Sequence, residues 1–289
     1  MAIYKKAALV LEGGGMRGAY LSGVLDVMLD NGLKFGGYAG TSAGATHLCN
    51  YLSEQRERNR RIDVVHSANK RYMGWSNLIR TGDFFEVEYC YNEIPRVIDP
   101  FDFEKFHENA MQSEFYAAAT NLETGLAEYL LTRDLDKRED MDKIRASASL
   151  PLMSHIVEVD GMKLLDGGVA DSIPFEIMAK KGFEKQVVIV TQPEGYVKKP
   201  NPMIPLFKII YRKYPKFIEA ARTRHIRYNQ CLKTLEEWCN RGTTFRIRPS
   251  ESFKIDRLEK DKSKLVKLYD LGVKDGTALL PKLIEFLEH

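Results

Sequence analysis

Short apolar runs alternate with amphipathic stretches along most of the chain. Residues 7–11 are all apolar and predict a buried strand, and residues 19–29 predict a helix with one apolar face. The same two patterns predict strands around 38–39 and at 115–120, 126–131, 156–159, 163–165, 187–191 and 245–247, and helices at 45–52, 141–149, 174–181 and 258–287. Strands that alternate with helices predict an α/β fold, a mostly parallel central sheet with helices on both faces.

Two of the predicted strands lead into glycine-bearing turns and then into helices. The first turn is Gly13-Gly14-Gly15-Met16-Arg17-Gly18 and the second is Gly40-Thr41-Ser42-Ala43-Gly44. A serine between two glycines at a strand-to-helix corner is typical of a nucleophile elbow, because the glycines allow a sharp turn and leave the hydroxyl accessible. Such corners also leave backbone N–H groups free to stabilise an oxyanion. Ser42 is therefore a candidate nucleophile.

The first turn also fits the dinucleotide-binding pattern G-x-G-x-x-G, through Gly13, Gly15 and Gly18. That pattern requires an acidic residue about 20 residues further on, which binds the ribose. Residues 35–42 contain no carboxylate, which argues against a dinucleotide. A nucleotide- or phosphate-binding module that uses the glycine loop stays open as a non-enzymatic alternative. Such a module would be stabilised by nucleotide and little affected by Ser42→Ala.

Composition and charge indicate the size of the domain, the class of partner and the cellular compartment, but not the reaction. The 289 residues are 44% hydrophobic, which suits one large domain or two small ones, and a net charge of +3 gives no reason to expect a nucleic-acid partner. Cys49, Cys90, Cys231 and Cys239 lack C-x-x-C spacing, so we expect free buried thiols rather than a zinc site or a redox pair. The first apolar run is too short for a signal peptide or a membrane span, and we expect a cytoplasmic protein. The charged stretch 54–61 predicts a solvated helical face.

A third motif, Asp166-Gly167-Gly168, follows a predicted hairpin whose turn is Asp160-Gly161. In their order along the chain, the three motifs resemble the signatures of patatin-like phospholipases, and so do the stretch 146–151 and Pro174. The resemblance covers about residues 5–192. It departs from the family at Asp171-Ser172, where many members carry asparagines, and this departure bears on how the aspartate loop is held. The tail from about Pro200 resembles bacterial members.

The resemblance implies a three-layer α/β/α fold and a serine–aspartate dyad that hydrolyses acyl esters, typically of lipids, without a metal or other cofactor. Ser42 would be the nucleophile and Asp166 the general base and acid. The first glycine turn would form the oxyanion hole, the second the nucleophile elbow, and Gly167-Gly168 would shape the aspartate loop. We expect a catalytic region at 1–200 and a basic, mainly helical extension at 201–289, packed on the same domain.

The chemistry of the dyad can be reasoned independently. A serine hydroxyl needs a base within hydrogen-bond reach. A carboxylate with the ordinary pKa of about 3.9 is a weak base at neutral pH, and partial burial raises that pKa. A histidine is the alternative base. His155, near the aspartate hairpin, is the main rival, whereas His47 would point away from Ser42 on the same predicted helix. Arg17 would either meet a lipid phosphate or rigidify its loop through a salt bridge.

The segment 198–227 is strongly basic. Its charged residues are Lys198, Lys199, Lys208, Arg212, Lys213, Lys216, Arg222, Arg224 and Arg227, against Glu219 alone. Apolar and aromatic residues lie between them, a composition that suits contact with an anionic membrane surface. A pair of solvated helices packed on the sheet explains the same pattern. If the segment contacts membranes, we expect a lipid ester as the substrate. The alternative is a soluble carboxylesterase or acyltransferase that acts on small or thioester-linked acyl groups.

Overall fold

A mixed sheet forms the centre of the computed structural model, which describes residues 3–289; Met1 and Ala2, part of the predicted region 1–200, lie outside it. Its strands are β1 (Ile3–Leu11), β2 (Lys34–Thr41), β3 (Glu114–Asn121), β4 (Ala127–Leu131), β5 (Val157–Val159), β6 (Met162–Asp166), β7 (Lys185–Ile189) and β8 (Thr244–Ile247). Their order is β5-β6-β3-β2-β1-β7-β8, and β4 pairs with β3 outside this path. The strands from β8 to β3 in this order are parallel, and β4, β5 and β6 are added by antiparallel pairing.

Helices cover both faces of this sheet. They are α1 (Ala19–Asp30), α2 (Ala43–Leu52), α3 (Arg58–Arg60), α4 (Trp75–Thr81), α5 (Phe103–Met111), α6 (Arg138–Ala148), α7 (Phe175–Lys180), α8 (Ile204–Ile210), α9 (Pro215–Asn240) and α10 (Lys262–Glu288). Successive side chains of a strand point to opposite faces. Leu9 of β1 accordingly packs with α1, α2, α5 and α10, and Val10 packs with α7 and α9. The predicted three-layer α/β/α fold is confirmed.

The prediction for the charged stretch 54–61 is wrong in part. α3 lies within it, but Arg58 and Asn59 are buried. The guanidinium of Arg58 donates to Asn50 Oδ1 over 2.6 Å and to the Asp99 carbonyl over 2.7 Å. A buried cation is tolerated when hydrogen bonds replace its hydration. Charge alone therefore gave the wrong environment for Arg58.

The strand register brings two of the sequence motifs together. β4 occupies one edge of β3 over residues 116–120. On the other edge, Thr41 at the end of β2 pairs with Ala118, and Asp166 at the end of β6 pairs with the next residue, Ala119. β2 and β6 thus follow one another along the same edge of β3. Residue 42 and residue 166 consequently meet at the point where the two strands end.

The C-terminal elements pack on the same sheet. β8 extends it by parallel pairing with β7. α10 lies so close to α1 that a Cβ built on Gly23 would be 2.2 Å from the Tyr269 carbonyl oxygen. Hydrogen bonds from Tyr20 to Asp275 and from Tyr269 to Asp26 join the two helices. Among residues 3–289, no helix has both the length and the apolar composition needed to cross a membrane.

Candidate active site

Ser42 occupies a strained corner between β2 and α2. Its backbone has φ 55° and ψ −123°, a conformation that non-glycine residues adopt rarely and mostly at functional sites. The corner can be tight because Gly40 and Gly44 carry no side chain. A Cβ on Gly40 would lie 2.6 Å from the Ala45 nitrogen, and a Cβ on Gly44 would lie 2.6 Å from the Leu11 carbonyl oxygen. Both close approaches are compatible with the nucleophile elbow that the sequence predicts.

Ser147 holds this corner from the neighbouring helix α6. The backbone N–H of Ser42 donates to Ser147 Oγ over 2.9 Å, and the Ser147 hydroxyl donates to the Ala118 carbonyl over 2.6 Å. Ser147 is fully buried, so both bonds are shielded from water. The serine corner is thereby tied to β3, the strand whose edge also carries Asp166.

Asp166 ends β6 and is buried, with 5% of its surface exposed. Its Oδ1 accepts the Gly168 N–H over 2.7 Å, which fixes the carboxylate against its own loop. Its Oδ2 is buried and accepts no hydrogen bond from any residue that the structure describes. Buried carboxylate oxygens are normally satisfied, and an exception calls for a functional explanation. Asp166 and Ser42 line the same cavity.

The glycine loop lies directly against the serine corner, since a Cβ on Gly13 would be 3.3 Å from Ser42 Cβ. The loop's N–H groups are not equivalent. Gly13 donates to the Ser172 carbonyl over 3.1 Å and Met16 to the Arg257 carbonyl over 3.0 Å. The N–H groups of Gly14 and Gly15 have no acceptor within the described part of the chain. Of the predicted oxyanion donors, these two are therefore unoccupied, and Gly13 and Met16 are committed elsewhere.

Asp171 and Ser172, the departure from the family pattern, hold the aspartate loop. The Tyr129 hydroxyl donates to Asp171 Oδ2 over 2.7 Å, and burial raises the pKa of this carboxyl. Ser172 Oγ donates to the Gly168 carbonyl over 2.9 Å, while its own carbonyl accepts the Gly13 N–H. Asp171 and Ser172 thus stabilise the loop that follows Asp166, and Ser172 links this loop to the glycine loop, residues 13–18.

Glu12 anchors the start of the glycine loop from beneath. Its Oε2 accepts the Thr191 N–H over 2.6 Å and the Thr191 hydroxyl over 3.0 Å, and its Oε1 accepts the Tyr228 hydroxyl over 2.5 Å. The carboxylate is almost completely buried. Sequence reasoning missed this role, although a glutamate directly after a buried strand and before three glycines is the signal that could have found it.

A cavity opens beside Ser42, Asp166 and the glycine loop and runs into an apolar interior. The apolar and aromatic residues that line it are Met16, Ile62, Tyr72, Phe85, Tyr91, Ile94, Pro95, Phe101, Leu135, Met141, Ile144 and Leu150. Polar and charged residues line it as well, namely Thr46, His47, Asn50, Arg58, Asn59, Asp63, Arg224 and Arg257. A concave apolar site with a few convergent polar groups is the usual form of a small-molecule site. The apolar part of the lining can accommodate a hydrocarbon group beside Ser42 and Asp166.

Comparison with known proteins agrees with this geometry. A family model described as patatin-like phospholipase matches residues 9–179, more than half of the chain. The chain belongs to the patatin-like phospholipase family. A second model, a domain of unknown function (DUF6363), matches residues 214–288. Family membership supports hydrolysis of lipid acyl esters at the level of the family.

Two relatives of this patatin-like chain are described as uncharacterized proteins. It is 31% identical to YjjU of Escherichia coli (strain K12) over 198 residues, which are 65% of this chain and 52% of that one. It is 28% identical over 187 residues to the NTE family protein Rv1063c of Mycobacterium tuberculosis, covering 60% of this chain and 46% of that one. The chain thus spans about half the length of these relatives. The crystal structure of VipD from Legionella pneumophila aligns with 96% of this chain and 67% of that chain, at 12% identity and a TM-score of 0.47.

His47 and His155, the two histidines considered as alternative bases in this patatin-like chain, have partners other than Ser42. His47 Nε2 lies 2.9 Å from Asp63 Oδ2, and its Nδ1 contacts the Ala43 carbonyl. Burial alone would lower the pKa of His47, but the Asp63 carboxylate outweighs burial and raises it. His155 is largely exposed and pairs with Asp83 over 2.8 Å, and it does not line the cavity. His47 lines the cavity together with Ser42, but both of its ring nitrogens are occupied by Asp63 and by the Ala43 carbonyl.

Arg17 forms no salt bridge with any carboxylate of residues 3–289, so the rigidifying ion pair considered for it is not seen. Its Nε is buried and has no hydrogen-bond partner in the same range. Burial lowers the pKa of its guanidinium. Arg17 is accordingly a desolvated cation next to the glycine loop, close to Glu12 and to Arg257.

Proposed function

We propose that this protein is a lipid acyl hydrolase that works through a Ser42–Asp166 dyad. The observation that carries the proposal is the buried Oδ2 of Asp166, which has no hydrogen-bond partner among residues 3–289. The strand register, in which β2 and β6 end side by side along β3, supports the pairing of Asp166 with the strained Ser42 corner. A carboxylate oxygen without a partner is available to accept a proton. A serine at an elbow is the group that has one to give.

The reaction proceeds in two halves. Ser42 Oγ attacks the acyl carbonyl carbon while Asp166 takes the hydroxyl proton, and the N–H groups of Gly14 and Gly15 stabilise the oxyanion. The tetrahedral intermediate collapses, the C–O bond to the alcohol breaks, and Asp166 returns the proton to the leaving oxygen. Asp166 then takes a proton from water, whose oxygen attacks the acyl-serine. Collapse of the second intermediate releases the fatty acid, and the proton goes back to Ser42 Oγ.

The apolar part of the cavity supports a lipid rather than a small polar substrate. Each methylene that leaves water contributes about 0.8 kcal/mol, so a hydrocarbon chain bound along these walls adds substantially to affinity. A soluble carboxylesterase would use the same dyad. It differs in showing no rise in rate when the substrate forms an interface.

The first experiment measures fatty-acid release from mixed phospholipid vesicles and cleavage of a short-chain ester. The unsubstituted protein, Ser42→Ala and Asp166→Asn are compared, with Ser76→Ala and Asp160→Asn as exposed controls of the same chemistry. We expect both site variants to lose at least about a thousandfold in kcat, because each removes a group that acts on the reacting atoms. The controls should retain full activity.

Full activity of either site variant, with its fold intact by circular dichroism, would refute the dyad. Cleavage of the short-chain ester without fatty-acid release from vesicles would move the assignment to a soluble esterase. Inactivity on both substrates, together with stabilisation by nucleotide, would support the phosphate-binding alternative.

We also propose that the surface around α8 contacts anionic membranes. Met203, Ile209 and Ile210 are exposed there, with 45%, 70% and 54% of their surfaces accessible. The neighbouring Lys208, Arg212, Lys213 and Lys216 are exposed too. Apolar side chains surrounded by cations suit the interface of an anionic bilayer. Such contact would keep the cavity close to a substrate that resides in the bilayer.

This contact is tested by sedimentation with vesicles that contain anionic lipid. Each basic residue near the surface contributes about 1 kcal/mol, so changing Arg212, Lys213 and Lys216 together to Gln should weaken binding about a hundredfold. The matched control changes Lys262, Lys267 and Lys282 to Gln, three exposed lysines of α10 with the same loss of charge. Equal binding by the two triple variants would contradict the proposal.

A further inference from the structure

A second cavity adjoins the first and is lined by several cations. Lys198, Arg224, His225 and Arg257 line it, and Arg224 and Arg257 also line the cavity of Ser42. Among residues 3–289, no carboxylate lies within 4 Å of the charged groups of Lys198, Arg224 or Arg257. These two arginines therefore form the wall between the catalytic cavity and a basic chamber.

The cations that line this chamber differ in exposure: Arg224, His225 and Arg257 are half-buried, and Lys199 is exposed. Lys198 is buried, its backbone N–H donates to Asn229 Oδ1 over 2.8 Å, and its Nζ lies 4.0 Å from the centre of the Tyr228 ring. Two further nitrogens, Arg224 Nε and His225 Nδ1, are buried without a hydrogen-bond partner in the described chain. Buried donors of this kind are normally satisfied. They point to an acceptor that binds there.

The charges near this chamber do not balance. The charges of two carboxylates, Glu12 and Asp166, act on Lys198 and Arg224, and they face the three cations of the chamber with Arg17 as a fourth cation close by. Burial, followed by the charges of Arg224 and Arg257, lowers the pKa of Lys198 to about 7. Burial and the charge of Arg257 lower the pKa of Arg224 to about 10. The chamber thus holds excess positive charge that an anion would neutralise.

The chamber reaches the catalytic loop through Arg224. Its guanidinium donates to Ser172 Oγ over 3.3 Å and would lie 3.0 Å from a Cβ on Gly168, two residues after Asp166. A group bound by Arg224 would therefore lie close to the loop that carries Asp166. Two guanidinium groups and an ammonium that converge from different segments match the several oxygens of a phosphate better than the two of a carboxylate.

We propose that Lys198, Arg224 and Arg257 form a phosphate-binding site beside the dyad. This proposal rests on the proposed function in one respect: the phosphate would be part of the alcohol that is released when Ser42 is acylated by an ester substrate. The same chemistry would also bind free phosphate, and the experiment separates the two sources.

Binding is measured on the Ser42→Ala protein, which holds a substrate without turning it over. Three probes are titrated at constant ionic strength: a dihexanoyl phospholipid below its micelle concentration, dihexanoylglycerol and inorganic phosphate. We expect the phospholipid to bind at least about tenfold more tightly than the diglyceride, since hydrogen bonds to charged groups are worth about that factor or more. Arg224→Gln and Arg257→Gln should each reduce this preference about tenfold. Arg222→Gln, an exposed residue of α9 paired with Glu219, is the control and should keep it.

The outcomes separate cleanly. A preference for phospholipid that is lost in both site variants assigns the chamber to the phosphate of the substrate. Binding of inorganic phosphate without any lipid preference assigns it to free phosphate. Equal affinity for phospholipid and diglyceride, with no binding of phosphate, overturns the proposal. If Arg224→Gln fails to fold, Arg257→Gln and Lys198→Gln give the same comparison. Hydrolysis of dihexanoylglycerol by the unsubstituted protein is scored separately, so failure of the dyad and failure of the phosphate site are distinguishable.

Discussion

At the scale of single residues, the strained backbone of Ser42 depends on one buried hydroxyl. Ser147 Oγ accepts the Ser42 N–H and donates to the Ala118 carbonyl, so Ser147→Ala leaves a buried donor and a buried acceptor unsatisfied. We expect the variant to lose about 1–3 kcal/mol of stability and to lose kcat as well. Urea denaturation and ester hydrolysis measure the two effects.

Ser149→Ala is the matched control for that substitution. The Ser149 hydroxyl donates only to the Arg145 carbonyl of the preceding turn, a bond whose loss should cost less than about 1 kcal/mol. Equal destabilisation by the two variants would show that Ser147 has no special part in holding the Ser42 corner.

The buried pair of His47 and Asp63 gives the protein a pH-dependent contribution to stability. Because the pKa of His47 is raised in the folded state, its stabilising effect is complete below the unfolded pKa of about 6.5 and is lost as pH rises through the folded value. We expect the difference in unfolding free energy between the unsubstituted protein and His47→Gln to be largest at pH 5.5 and to shrink as pH rises. A difference that is constant up to pH 9 would contradict this.

The residues of the candidate site differ in how far the sequence could predict them. Ser42, Asp166 and the glycine loop stand in motifs whose spacing has a chemical meaning, so the sequence predicts them as site residues, and they line one cavity. Ser147, Ser172 and Arg224 act through single contacts with residues far away in the chain, and such contacts leave no periodic pattern. The occupied N–H groups of Gly13 and Met16 could not be foreseen either, since their acceptors are carbonyls of Ser172 and Arg257.

At the scale of elements, the predicted strands and helices are present with shifted ends, because apolar periodicity reports burial directly. The meeting of β2 and β6 on one edge of β3 was not predictable in the same way. It depends on register between strands more than a hundred residues apart, Thr41 with Ala118 and Asp166 with Ala119. In the charged stretch 54–61, composition predicts exposure to solvent, whereas the fold buries Arg58 and Asn59 and supplies hydrogen-bond partners for Arg58.

The packing of α2 against β2 makes a prediction at this scale. Gly40→Ala would place a Cβ 2.6 Å from the backbone nitrogen of Ala45, so the helix must move. We expect a loss of at least about 2 kcal/mol in stability, as for an overpacked core. Gly74→Ala, whose nearest atom would be 3.6 Å away, should stay within about 1 kcal/mol of the unsubstituted protein. Thermal denaturation compares the two, and a Gly40→Ala protein as stable as Gly74→Ala would refute the close approach.

At the scale of the whole molecule, residues 215–288 contribute to both faces of the sheet. α9 supplies Tyr228, which binds Glu12 beneath the glycine loop, and β8 pairs with β7. α10 contacts α1 on the opposite face. The part of the chain that matches a domain of unknown function thus completes the hydrophobic core of the patatin-like part. These contacts are compatible with the prediction that the extension 201–289 packs on the same domain.

We therefore expect residues 1–200 not to fold alone. Without residues 201–289, α1 residues such as Val24 and Val27, which lie against Gly276, would be exposed to water. Each buried apolar side chain contributes about 1.5–3 kcal/mol to the free energy of unfolding. The fragment should show no cooperative thermal transition and should bind a hydrophobic dye, as partly folded chains do. A control chain that lacks only Glu288 and His289 should unfold cooperatively. Cooperative unfolding of the 1–200 fragment would instead make 201–289 a separate domain, because α1 and β7 would then be stable without the helix and the strand that cover them.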